Sequence, residues 1–108
     1  MKKIESRQEF EQFIDKEAHV VVDFYADWCG PCQVLSPTLE DLSRDFKGRV
    51  AVVKVDVDAQ PELAQQFRVM SIPTLVFFRD KKVVQTLLGL RSKEDLRKQM
   101  AALDIQAN

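Results

Sequence analysis

The 108-residue chain has only two cysteines, Cys29 and Cys32, and a single histidine, His19. Secreted domains stapled by disulfides carry several pairs that close long loops, so the cysteine count excludes that class. A bond between two cysteines this close in sequence constrains almost none of the unfolded chain and contributes little as a staple. A four-ligand zinc site needs two donors beyond the cysteines, and His19 is the only histidine available. No apolar stretch approaches the roughly 20 residues of a membrane helix. The formal net charge of -1 gives no basic footprint for nucleic acid or an anionic membrane, and Lys2 and Lys3 are too few for a basic arm. Met1 to Phe13 mixes charged and apolar residues without a signal-peptide core, so a cytoplasmic protein is expected. With no repeat, low-complexity tract or Pro/Gly/Ser linker, residues 1–108 are expected to form a single domain.

What remains is ordinary globular material, 45% hydrophobic and 31% charged, enough to build a core without staples. Ser6 followed by Glu9 reads as a capping box for a helix with Phe10, Phe13 and Ile14 on its apolar face. Val20 to Ala26 is a nearly continuous apolar, β-branched run, as in a strand buried on both faces. A helix starts at the cysteines with Leu35, Leu39, Leu42 and Phe46 on one stripe. Pro37 should kink it, and Gly48 follows as its stop. Val50 to Val55 reads as a strand and Pro61 opens a short helix with Leu63 and Phe67 spaced by four. Thr74 to Arg79 and Lys82 to Leu88 read as an antiparallel hairpin. Ser92 with Asp95 opens a last helix carrying Leu96, Met100 and Leu103. With a short first strand at Lys3 to Glu5, the order is βαβαβαββα, an α/β domain with a mixed central sheet and helices on both faces.

The cysteines lie in Trp28-Cys29-Gly30-Pro31-Cys32, where an apolar run meets a helical pattern. Disulfide exchange needs a thiolate, and a helix N-terminus offers unpaired N–H groups and the positive end of the helix dipole. Pro31 suits the first turn, where its missing N–H would have no partner, and Gly30 leaves the approach to Cys29 open. One helical turn brings Cys32 back beneath Cys29, within disulfide reach. Cys29 is then the exposed attacker and Cys32 the more buried resolver; a purely structural disulfide is the competing reading. His19, just before a strand, reads as a loop residue.

Strand alternation puts Val21, Asp23 and Tyr25 on one face and Val20, Val22 and Phe24 on the other. Asp23 is therefore expected to be buried, with desolvation raising its pKa, and placed to take the proton from Cys32 directly or through a water. A partly solvated carboxylate is the alternative. Lys54 interrupts a second Val-rich strand; it either lies beside Asp23 and supports that charge, or snorkels to solvent. Pro73, in Ser71-Ile72-Pro73-Thr74, is compatible with a cis bond in a tight turn and equally with a trans proline at a strand start.

Together these residues resemble the thioredoxin family over nearly the whole chain. The segment from Val22 to Cys32 is similar to the family's active-site signature. Pro37, Lys54, Ile72-Pro73-Thr74 and Gly89 stand where the family has its helix proline, strand lysine, cis-proline turn and late glycine. The resemblance implies a thioredoxin fold: a mixed five-stranded sheet in the order 1-3-2-4-5 flanked by four helices, with a cis Ile72-Pro73 bond facing the disulfide. It also implies an apolar substrate groove around Trp28, Gly30, Pro31, Ile72, Pro73 and Gly89, with Leu88 and Leu90 either widening it or packing inward. Three departures stand out. Tyr25 replaces a common Trp, Ser71 a common Gly, and the Arg79-Asp80-Lys81-Lys82 turn lacks the usual Asn-Gly.

The expected activity is general protein-disulfide reduction, serving redox homeostasis and electron transport, through dithiol–disulfide exchange at Cys29 and Cys32. By resemblance, a thioredoxin reductase regenerates the chain with electrons that come indirectly from NADPH. No bound cofactor or metal is expected, and the working form is expected to be a monomer. Two competing readings remain: an oxidant or isomerase in an exported compartment, and a binding module whose apolar face docks a partner in either redox state.

Overall fold

Seven residues, His19–Tyr25, form the strand at the middle of the sheet, and the central five are buried on both faces. The computed structural model describes residues 1–105. In chain order the elements are β1 (Lys2–Lys3), α1 (Arg7–Lys16), β2 (His19–Tyr25), α2 (Gly30–Asp45), β3 (Ala51–Asp56), α3 (Pro61–Gln66), β4 (Thr74–Arg79), β5 (Lys82–Leu88) and α4 (Lys93–Ile105). The sheet runs β1-β3-β2-β4-β5, with β1, β3 and β2 parallel and β4 and β5 antiparallel to their neighbours. That is the five-stranded order the resemblance implied.

Alternation along β2 divides the core into two layers. Val21 packs with Leu35, Leu39 and Leu42 of α2 and with Leu96 and Met100 of α4. On the other face, Val20, Val22 and Phe24 pack with Phe10 and Ile14 of α1 and Leu63 of α3. Phe67 closes this second layer, its ring 5.5 Å from both Phe10 and Phe78 and 6.0 Å from Phe24. Such tilted and edge-on contacts add to the burial of each ring.

The first helix is capped as expected, Glu9 N–H donating to Ser6 Oγ at 3.0 Å. The Glu9 carboxylate reaches past Ser6 and accepts from Glu5 N–H at 2.8 Å instead. In the last helix, Asp95 N–H donates to Ser92 Oγ at 3.1 Å. The first strand lies at Lys2–Lys3, earlier than the Lys3 to Glu5 expected; the buried Ile4 follows it and donates one further bond to the Lys54 carbonyl at 2.9 Å. His19 begins β2 opposite Arg79 and is not a loop residue. Pro37 sits inside α2, which runs through it to Asp45.

Between β4 and β5 the turn is only Asp80 and Lys81, both with positive φ, 50° and 73°. A two-residue connection needs that hand of turn to match strand twist, so side chains that disfavour it adopt it here. Within the hairpin the register shifts between Phe77 and Phe78, leaving Val84 as an extra residue on β5.

Candidate active site

The disulfide sits where β2 hands over to α2. Cys29 is the N-cap of α2, and its carbonyl accepts from Gln33 N–H at 3.1 Å. Its Sγ accepts from Cys32 N–H at 3.2 Å, so the sulfur occupies the place a capping oxygen would take. Cys29 and Cys32 are bonded, with Cα atoms 5.2 Å apart. Gly30 and Pro31 fill the first helical positions and are exposed. The cysteines do not divide into an exposed and a buried member as expected. Cys29 is 4% and Cys32 5% exposed. The cause lies opposite: the Ile72 carbonyl comes within 3.8 Å of Cys29 Sγ and covers it.

The Ile72-Pro73 bond is cis. The Pro73 carbonyl accepts from Gly89 N–H at 2.9 Å, which ties Gly89, with φ +79°, to the same end of the sheet. Ser71 accepts through its carbonyl from Thr74 Oγ1 at 2.6 Å. Trp28 is 70% exposed, and its Nε1–H donates to Asp58 at 2.7 Å. Trp28 and Ile72 line an open groove of about 410 Å³ together with Val57, Val69 and Met70. These last three were not anticipated. They come from the loops after β3 and α3, where no periodicity marks them. The one usable signal was Met70, an apolar residue just ahead of the Ser71-Ile72-Pro73 turn. Leu88 and Leu90 are both exposed beside Gly89, so they extend the apolar surface.

Behind the disulfide, Asp23 is buried, and burial pushes its carboxyl up to about 7, with Lys54 pulling the other way. Its Oδ1 has no protein hydrogen-bond partner. Asp23 and Cys32 open onto one cavity of about 220 Å³, whose wall also includes Tyr25, Ser36 and Lys54. The carboxyl and the second cysteine thus share the wall of one cavity large enough to hold water. Lys54 is Asp23's register partner on β3, yet its ammonium lies over the Tyr25 ring, 5.3 Å from the centroid. Among the described residues no three His, Cys, Asp or Glu side chains cluster as a metal site requires.

The thioredoxin family model matches residues 2–102. The chain belongs to the thioredoxin family. A thioredoxin from Alicyclobacillus acidocaldarius is 44% identical over 92 residues, 85% of this chain and 88% of that protein. One from Staphylococcus aureus is 46% identical over 76 residues, 70% of this chain and 73% of that protein. Among solved structures, a mutant thioredoxin from Halobacterium salinarum superposes with a TM-score of 0.89 at 35% identity, covering 95% of this chain and 89% of its own. Plasmodium falciparum thioredoxin gives 0.88 at 32% identity, covering 94% and 98%.

Thioredoxins are protein-disulfide oxidoreductases that exchange dithiols with disulfides in other proteins. The bonded Cys29–Cys32 pair equips this chain for that reaction. No helix among the described residues is long and apolar enough to cross a membrane.

Proposed function

We propose that this chain reduces protein disulfides as a single-domain, monomeric, cytoplasmic electron carrier, with roles divided residue by residue. The Cys29 thiolate attacks one sulfur of a target disulfide, and the other target sulfur leaves as a thiolate. Cys32 then loses its proton and attacks the Cys29 sulfur, forming the Cys29–Cys32 bond and expelling the target's second thiolate. Two electrons pass to the target, and the two departing thiolates are protonated. The helix N-terminus stabilises charge on Cys29, with Gly30 and Pro31 shaping that first turn. Asp23 takes the Cys32 proton across the shared cavity, and Lys54 tunes it.

Trp28, Ile72, Pro73 and Gly89 hold the target segment. Ile72 makes no main-chain pair within the described residues, so its backbone is free to bond an extended substrate. A thioredoxin reductase, drawing indirectly on NADPH, would return the chain to its dithiol form.

The observation that carries this reading is the common cavity joining Asp23 to Cys32 behind a sulfur-capped helix start. The test mixes reduced protein with an oxidised protein substrate and follows thiol release across pH, for the native chain, Cys29→Ser and Asp23→Asn. Loss of turnover in the first variant and slowed exchange in the second are expected. Native turnover in Cys29→Ser would overturn the assignment. Equilibration with glutathione fixes direction, and a potential close to that of disulfide isomerases would favour the oxidant reading.

A further inference from the structure

Tyr25 joins three features of the Asp23 cavity. It lies two residues beyond Asp23 on β2 and shares its face of the sheet. It lines the same cavity. Its ring receives the Lys54 ammonium at 5.3 Å. Parallel pairing puts Lys54 beside Asp23 on one side and beside Lys3 on the other. Lys3, on the two-residue outer strand, is a second cation that acts on Tyr25. An unrestrained lysine in that position would extend to water and take its charge away from the carboxyl. The aromatic face gives the ammonium a second site of attraction that stays within the cavity wall.

We propose that Tyr25 is a positioning residue, whose ring holds the Lys54 ammonium at the wall of the Asp23 cavity and keeps a positive charge beside the carboxyl that serves Cys32. The proposal rests on the Asp23 role given above only for its consequence in catalysis; the placement of Lys54 stands apart from it. Lys54 is the charge that acts on the Asp23 carboxyl, Asp27 shares the cavity wall, and Lys3 and Asp56 act on Tyr25. Helix α2 contributes only uncharged Gln33 and Ser36 beside Cys32. Lys54 is therefore the cation adjoining Asp23, and moving it should be felt directly.

The test is a ¹³C NMR titration of the Asp23 carboxyl in the oxidised protein. Lys54→Met should raise its midpoint by about half a pH unit or more. Tyr25→Leu should raise it in the same direction, while Tyr25→Phe, which keeps the ring, should leave it in place. In Tyr25→Leu/Lys54→Met the rise should not exceed that of Lys54→Met alone. A Tyr25→Leu midpoint equal to the native one overturns the proposal. So does a Tyr25→Leu effect that persists in full without Lys54, because it would then come from altered burial. Should Tyr25→Leu not fold, the native protein still decides: the Lys54 ε-methylene protons should be shifted upfield by the ring, and ordinary lysine positions would overturn the proposal. These readouts follow the carboxyl and the lysine themselves. An Asp23→Asn variant with unimpaired exchange would instead sink the proton-acceptor role.

Discussion

Replacing Asp23 with Asn should make the protein more stable, and by an amount that depends on pH. The carboxyl titrates near 7 in the folded chain against 3.8 for an ordinary Asp, a difference of about three units. At about 1.4 kcal/mol per unit, this corresponds to about 4 kcal/mol between folded and unfolded states. Well below pH 3.8 the group is protonated in both states and the difference vanishes. Between pH 4 and 7 the folded chain binds a proton that the unfolded chain releases, so native stability falls as pH rises. Above pH 7 the buried carboxylate carries the full cost. Asn has nearly the same shape and no charge to bury, so Asp23→Asn escapes this loss. Urea unfolding of the oxidised proteins from pH 4 to 9 measures it, urea being uncharged and leaving electrostatics unscreened. The two stability curves should draw together towards pH 4 and separate by about 4 kcal/mol at pH 8 and above. Parallel curves, or a native protein that gains on the variant as pH rises, would refute a buried Asp23 with a raised pKa.

Cys32→Ser should accumulate mixed disulfides between Cys29 and target proteins, visible on non-reducing gels; rapid turnover without trapping would contradict its resolving role. Lys81→Gly should stabilise the β4–β5 turn by about 1 kcal/mol, since glycine adopts its φ of 73° without the steric penalty, and thermal unfolding would show no gain if the turn were unstrained. Leu39→Ala should cost about 2–5 kcal/mol by opening a void between α2 and the sheet, with urea midpoints as the check; a loss below 1 kcal/mol would mean that this layer collapses to fill it.

Much of the architecture was readable from residue patterns because each layer repeats its own period. The bounds of β4 follow directly from its apolar run, those of β5 match the hairpin expected after it, and alternation along β2 correctly assigned Val21 and Val22 to opposite layers. The burial of Asp23 followed from the same alternation. The strand order did not; it came from resemblance, since pairing across the sheet leaves no local trace. Val57, Val69 and Met70 escaped notice because the groove is assembled from separate loops. Equal burial of the cysteines was hidden for a related reason: the cover over Cys29 comes from Ile72, far along the chain. The hairpin turn is a third kind of case. Asp80-Lys81 carries no glycine, so its positive φ angles are imposed by the strands on either side.

The register shift at Val84 bears on how this protein keeps company with others. Val83 and Val84 are both about half exposed on β5, the outer strand, where a flat apolar edge would invite neighbouring molecules to add strands and aggregate. The extra residue bends that edge out of line and spoils it as a template. The opposite edge, β1, is two lysines long and offers little ladder to extend. With both rims blunted, neither outer edge of the sheet offers a neighbouring chain a long flat ladder. Under the proposed reading, a target segment that pairs with Ile72 instead would lie beside the sulfur of Cys29, which is 3.8 Å from the Ile72 carbonyl.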